Sequence, residues 1–237
     1  MKNITLLLSC FFLSINLCAQ DLNIKDFKEV LKKIRLIDRY TYVNKTTAMF
    51  PNGQKDEMNT TTFIDKANNK LAYRNEVEHV ILNNQWFYKV NFSEEFVSIF
   101  DVNSYKKKYG SDLGNLTAVF KSVDAVDLLD TLVSKHGRLF NANRKGNVSE
   151  FEFQFDKEFY LKSFVLKFDN ASGLPISVFF KLVSEDPFGR KIEMNVRCDG
   201  YKKDFPVSEF ETSKFFSKVG SKVTLHRYPK YKLTTIF

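Results

Sequence analysis

The side chains in this 237-residue chain that could do chemistry are three histidines, a few close carboxylates and one cysteine beyond residue 18. His79, His136 and His226 lie far apart, whereas a zinc signature pairs its nitrogen or sulfur ligands a few residues from one another. Glu76 and Glu78 share one face of an extended segment, and Glu94 adjoins Glu95. Paired carboxylates divide acid and base roles only where their surroundings separate their pKa values. Flanked by Arg74, Asn75 and His79, the first pair reads as a solvated strand end. Asp124, Asp127 and Asp130 recur every three residues, but a metal would need further His or carboxylate partners, so they read as a solvated helix face. Cys198 falls in an apolar register and reads as a buried structural thiol rather than a nucleophile. There is no G-x-S-x-G elbow, phosphate-cradling glycine loop or Cys/His motif. The chain is therefore expected to be no enzyme and to need neither metal nor cofactor. A hydrolase acting on an envelope substrate would need His and carboxylate groups converging in one cleft.

Aromatic residues are what the chain has in quantity, with 25 Phe and 10 Tyr. In Phe151-Glu152-Phe153-Gln154-Phe155 apolar and polar residues alternate as a half-buried strand requires. Phe164, Leu166 and Phe168 repeat the pattern, as do Ile176, Val178, Phe180 and Leu182, and then Ile192, Met194, Val196 and Cys198. Asp169-Asn170-Ala171-Ser172-Gly173 and Glu185-Asp186-Pro187-Phe188-Gly189 supply the reversals between them. Earlier strands are expected over Tyr40–Met49, Thr60–Ile64, Lys70–Arg74, Glu78–Leu82, Trp86–Phe92 and Phe96–Val102, with further strands at Val223–His226 and Tyr231–Ile236. The short spacings predict antiparallel meanders, since a parallel crossover needs a dozen or more residues. Segments near Trp86–Val102 are apolar on both faces.

Helices must cover such a sheet. Ile24, Phe27, Val30, Leu31, Ile34 and Ile37 fall at helical spacing, with Asn23 as N-cap and Asp26 in the first turn. A second helix carries Val126, Leu129, Leu132 and Val133, with Ser122 as its cap and Gly137 as a left-handed C-cap. Ser208 and Glu211 form a capping-box pattern for a short third helix. Lys106-Lys107-Lys108 reads as a solvated loop.

The first nineteen residues set the compartment. Lys2, the apolar run from Leu6 to Ile15 and Leu17-Cys18-Ala19 have the order of an export signal, so residues 1–19 are expected to be removed and 20–237 to fold as one domain. An uncleaved anchor and lipid attachment at Cys10 or Cys18 are the alternatives. Ser9, Ser14 and Asn16 interrupt the run that a membrane span would need, so no transmembrane segment is expected after cleavage. Cleavage also leaves Cys198 as the lone cysteine, favouring a bacterial periplasm or secreted location without an internal disulfide. The formal charge of +8, one unit of it on Lys2, favours an anionic envelope surface as partner, and export argues against nucleic acid.

The order of export signal, amphipathic helix, meander, inserted helix and long hairpins resembles the periplasmic outer-membrane lipoprotein carrier (LolA-like) superfamily. The segment Asp169-Asn170-Ala171-Ser172-Gly173-Leu174-Pro175-Ile176, between two amphipathic strands, carries most of the likeness, which spans Asn23 to Gly200. The resemblance implies a mainly β (α+β) fold: an antiparallel, incompletely closed barrel or strongly curved sheet, with two or three helices covering its concave face. It also implies a non-enzymatic carrier or sensor binding a lipid, lipoprotein acyl chain or other hydrophobic ligand between sheet and helices. Trp86, Tyr88, Phe164, Leu166, Val178, Phe180 and Met194 are the groove candidates, with Trp86 fluorescence the expected reporter of occupancy. The alternative is a periplasmic or cell-surface interaction protein with a filled core and no small ligand.

Overall fold

A computed structural model describes residues 20–110, 126–185 and 187–237. The export segment, Ser122, Asp124 and Asp186 lie outside the described residues. The strands are β1 (Gln20–Asp21), β2 (Arg39–Met49), β3 (Lys55–Asp65), β4 (Lys70–Arg74), β5 (Glu78–Leu82), β6 (Trp86–Asn91), β7 (Phe96–Asp101), β8 (Gly137–Lys145), β9 (Val148–Phe155), β10 (Leu161–Asp169), β11 (Leu174–Glu185), β12 (Lys191–Lys202), β13 (Phe216–Val219), β14 (Lys222–Leu225) and β15 (Lys232–Ile236). Among the described residues three helices accompany them: α1 (Ile24–Arg35), α2 (Val102–Tyr109) and α3 (Val126–His136).

Thirteen of the described strands form one sheet in the order β1-β8-β9-β10-β11-β12-β2-β3-β4-β5-β6-β7-β15, while β13 and β14 form a separate hairpin. The reversals follow the expected turns. At one of them Asp169 accepts the backbone N–H of Ala171 at 3.0 Å and Gly173 adopts φ +68°. Among the described strands every pairing is antiparallel except β15 with β7, which is parallel and is joined by a segment long enough for the crossover a parallel pair needs. Laid flat, thirteen strands would span about 58 Å, whereas a helix the length of α1 covers about 18 Å. Yet one buried cluster joins α1 and α3 to residues of β2–β6, β9, β10 and β12. The sheet curls around the helices and stays open, with β1 and β15 at its edges.

Lys106, Lys107 and Lys108 form the last turn of α2 rather than a loop, where cations complement the helix dipole and Gly110 closes the helix at φ +65°. Glu78 is tied down rather than solvated. It accepts the Tyr73 hydroxyl and pairs with Lys89 at 2.6 Å. Burial raises its pKa, but the bonds from Lys89 and Tyr73 outweigh burial and hold it below the usual carboxylate range. Beyond Pro206 only a 3-10 turn forms, over Val207–Phe210, without a side-chain cap. The aromatic residues there dock on the sheet instead of completing a helix.

That docking explains why the strands near Trp86 are apolar twice over. Phe87 and Phe100 face the helices, whereas Tyr88, Val90, Val97 and Ile99 face a second core closed by Phe210, Phe215 and Phe216 from the C-terminal segment. Tyr88 is fully buried and stacks on Phe215 at 4.8 Å between centroids. His79 packs edge-on against Phe215 at 5.2 Å. Burial, reinforced by Arg74, Lys214 and Arg227, pushes its pKa down to about 4.

Gly137 opens β8 and is not a left-handed cap. A Cβ there would stand 2.9 Å from both Cα and O of Val133 and 3.4 Å from the Phe155 ring, so the residue permits α3 to turn directly into the sheet. Gly137→Ala is expected to destabilise the protein by about 1–3 kcal/mol, as overpacking does, measured by urea denaturation. The depressed pKa of His79 means that the unfolded chain binds the extra proton, so stability falls as pH drops from 6.5 towards 4. After allowance for screening the loss is on the order of 2 kcal/mol. In His79→Phe this part of the acid sensitivity should vanish, read as unfolding free energy from Trp86 fluorescence at intervals across that range.

Candidate functional site

The site is built around α1. Asn23 accepts the backbone N–H of Lys25 and Asp26 accepts that of Asn23, each at 2.8 Å, so the first turn is capped from both sides. Phe27, Val30, Leu31 and Ile34 are buried, and the Phe27 ring meets Phe153 at 4.6 Å and Phe151 at 5.4 Å. Ile24 is exposed and does not join the stripe. Arg35 pairs with Asp130 at 3.3 Å, linking α1 to α3. The acidic face of α3 thus has a structural task at Asp130. The side chain of Asp127, like Asp124, lies outside the described residues.

Between these helices and the centre of the sheet lies an apolar cavity of ≈ 100 Å³. Leu31, Ile34 and Leu129 close it on the helix side, and Ile37, Tyr40 and Tyr42 on one flank. Phe164, Leu166, Pro175, Val178, Phe180, Cys198 and Tyr201 form its floor. A cavity of about 150 Å³ lined by aliphatic and aromatic groups stays dry and accepts benzene, so this one has room for an apolar group of comparable order, not a whole lipid.

Two irregularities on neighbouring strands shape the floor. Lys167 pairs with Ser177 but Phe168 pairs with Pro175, so Ile176 is an extra residue on β11. It points away from the core and is 42% exposed, contrary to the simple alternation that grouped it with Val178. The bulge brings Pro175 and Val178 to the same face. On β12 the register shifts between Asp199 and Lys202, with Gly200 at φ +66°, and Cys198 and Tyr201 both come to face the cavity. A glycine inside a strand pattern is the one sequence signal that pointed to such a shift.

The wall is uncharged at neutral pH. Burial pushes the Cys198 thiol up to about 11, against a hydrogen bond from Tyr201 that favours the thiolate. Burial also holds the Tyr201 hydroxyl well above the usual phenol range. Its ring stacks on Tyr42 with centroids 5.2 Å apart. Among the described residues no group of three or more His, Cys, Asp or Glu is placed to hold a metal. The described helices include none long and apolar enough to cross a membrane.

Of the seven residues singled out from sequence, Phe164, Leu166, Val178 and Phe180 meet at this cavity. Trp86 and Tyr88 stand in the second core on the opposite face, because their parity on β6 is that of Val90 and not of Phe87. Trp86 therefore reports on the C-terminal layer and not on the cavity. Met194 is half-buried farther along β12, between Leu182 and Ala48, and does not line the cavity. Sequence reasoning missed Leu31, Tyr40, Tyr42, Pro175 and Tyr201 as lining residues.

No family model matches the chain, and no curated protein matches it significantly. Solved structures that are similar include an uncharacterized conserved protein from Thermus thermophilus, at 10% identity and TM-score 0.43, covering 89% of this chain and 99% of that one. A LolA superfamily protein from Nitrosomonas europaea shares 11% identity at TM-score 0.33, covering 78% of this chain and 97% of the other. The MucA/MucB complex of Pseudomonas aeruginosa shares 13% identity at TM-score 0.32, covering 78% and 60% of the two chains. With scores this low, the functional reading rests on the chain's own cavity.

Proposed function

We propose that residues 20–237 act as a single half-barrel unit: an exported, non-enzymatic binding protein that holds a hydrophobic or lipid-like ligand between α1, α3 and the sheet. The observation that carries this reading is the apolar, uncharged cavity at the junction of the two helices with the bulged strands. The resting cavity takes only the end of an alkyl chain. Deeper entry requires α1 and α3, joined through Arg35 and Asp130, to move off the sheet together. Each methylene then buried contributes about 0.8 kcal/mol towards that displacement.

Val178 offers the cleanest test, since it lines the cavity and is only half-buried. The neutral probe N-phenyl-1-naphthylamine should bind the purified protein saturably, with enhanced emission. Val178→Phe should weaken that binding about tenfold or more, close to the 1.4 kcal/mol that a tenfold change represents, without lowering the melting temperature. Absence of saturable binding, or unchanged binding by the variant, would favour a protein-interaction module whose core is already filled. The export assignment has its own check: intact mass of protein from its native envelope should place the mature terminus at Gln20, and a terminus at Met1 or a lipid adduct on cysteine would overturn it.

A further inference from the structure

A second hollow adjoins the apolar cavity at the C-terminal end of α1, and the two share Ile37. Its wall is formed by Lys33, Leu36, Asp38, Arg39, Gly173 and Lys203, so three cations face one carboxylate. Lys33, Arg39 and Lys203 have no ion-pair partner among the described residues. Lys203 instead donates to the backbone oxygen of Ser172 at 3.0 Å, which fixes it beside the Asp169–Gly173 turn. Arg39 lies over the Phe205 ring, its guanidinium carbon 4.3 Å from the centroid, and donates through Nη2 to the Phe205 carbonyl. Its Nε is buried without a hydrogen-bond partner. Leu36 is 80% exposed on the same wall.

We infer that the two hollows form one head-and-tail site for a single-chain anionic amphiphile. The tail enters past Ile37 into the space beneath Leu31 and Phe180, while a carboxylate or phosphate head is held by Lys33 and Lys203. This inference rests on the cavity being a ligand site. The chemistry is complementary at both ends: an uncharged wall rejects a charged head, and a cationic mouth offers charge-assisted hydrogen bonds to an anion. The small cavity selects one chain over two. Acyl carboxylates and monoacyl phosphates satisfy both conditions, whereas free phosphate satisfies only the second.

Displacement of N-phenyl-1-naphthylamine from the purified full-length protein by ten-carbon amphiphiles separates these terms. Decanoate and decyl phosphate should displace the probe at about tenfold lower concentration than decanol, with decyltrimethylammonium weaker still. The anionic advantage should shrink as salt screens the mouth. In a Lys33→Gln, Lys203→Gln double variant it should fall to about threefold or less, while decanol displaces the probe as before. The ratio of decanoate to decyl phosphate potency identifies the preferred head. Equal displacement by decanoate and decanol, or an undiminished advantage in the variant, would overturn the head-and-tail site while leaving the cavity reading intact. Competition by inorganic phosphate as strong as that of decyl phosphate would make the hollow a free-anion site and overturn it likewise. Failure of every amphiphile to displace bound probe would defeat both readings together.

Discussion

Successive side chains on a strand point to opposite faces, so a strand that is apolar at nearly every position has to be covered twice. The segment from β5 to β7 imposes that constraint on the whole molecule. One face is covered by helices and by the inward curl of the sheet, the other by the chain's own last residues. Tyr88, Val90, Val97 and Ile99 become fully buried only because Phe210, Phe215 and Phe216 lie across them. The first core could then keep a void without exposing the second, because the backbone of the sheet separates the two.

The void lies where regular alternation fails. Elsewhere the pleat delivers one apolar residue in two to the core, as with Phe151 and Phe153, and α1 fills the space with Phe27. At Ile176 and Gly200 an extra residue bends each strand, and side chains three positions apart come to share a face. Bulges increase local twist and redirect side chains. Two of them on adjacent strands leave a concave floor that Leu31 and Leu129 bridge without filling.

This is also where the sequence ceases to be legible. The alternation of β9 and β10 is readable because Phe151, Phe153 and Phe155 are separated by Glu152 and Gln154 and because Phe164, Leu166 and Phe168 recur at every second position, and α1 is readable because its stripe is bordered by lysines. Ile176 looks the same as Val178 to any two-residue period; only the pairing of Phe168 with Pro175 reveals its face. Trp86 and Tyr88 looked like groove residues because nothing in β6 itself says which face the helices will take. That choice belongs to a segment more than a hundred positions later in the numbering. Gly137 shows the opposite failure: a glycine after a helix pattern has two physical uses, freedom of φ and absence of a Cβ, and composition does not distinguish them. α2 escaped notice because Val102–Tyr109 buries none of its residues completely.

The parallel pairing of β15 with β7 has a consequence in time. Until residues 232–236 are available, β7 is an unpaired edge and the second face of the sheet has no cover. Of the pairings in the large sheet, this one uses the strand that comes last in the sequence. A chain that becomes available from its N-terminus is therefore able to assemble its helix-side core while an adhesive edge is still open. Arrival of the last strand would end the interval in which a holding chaperone has something to grip.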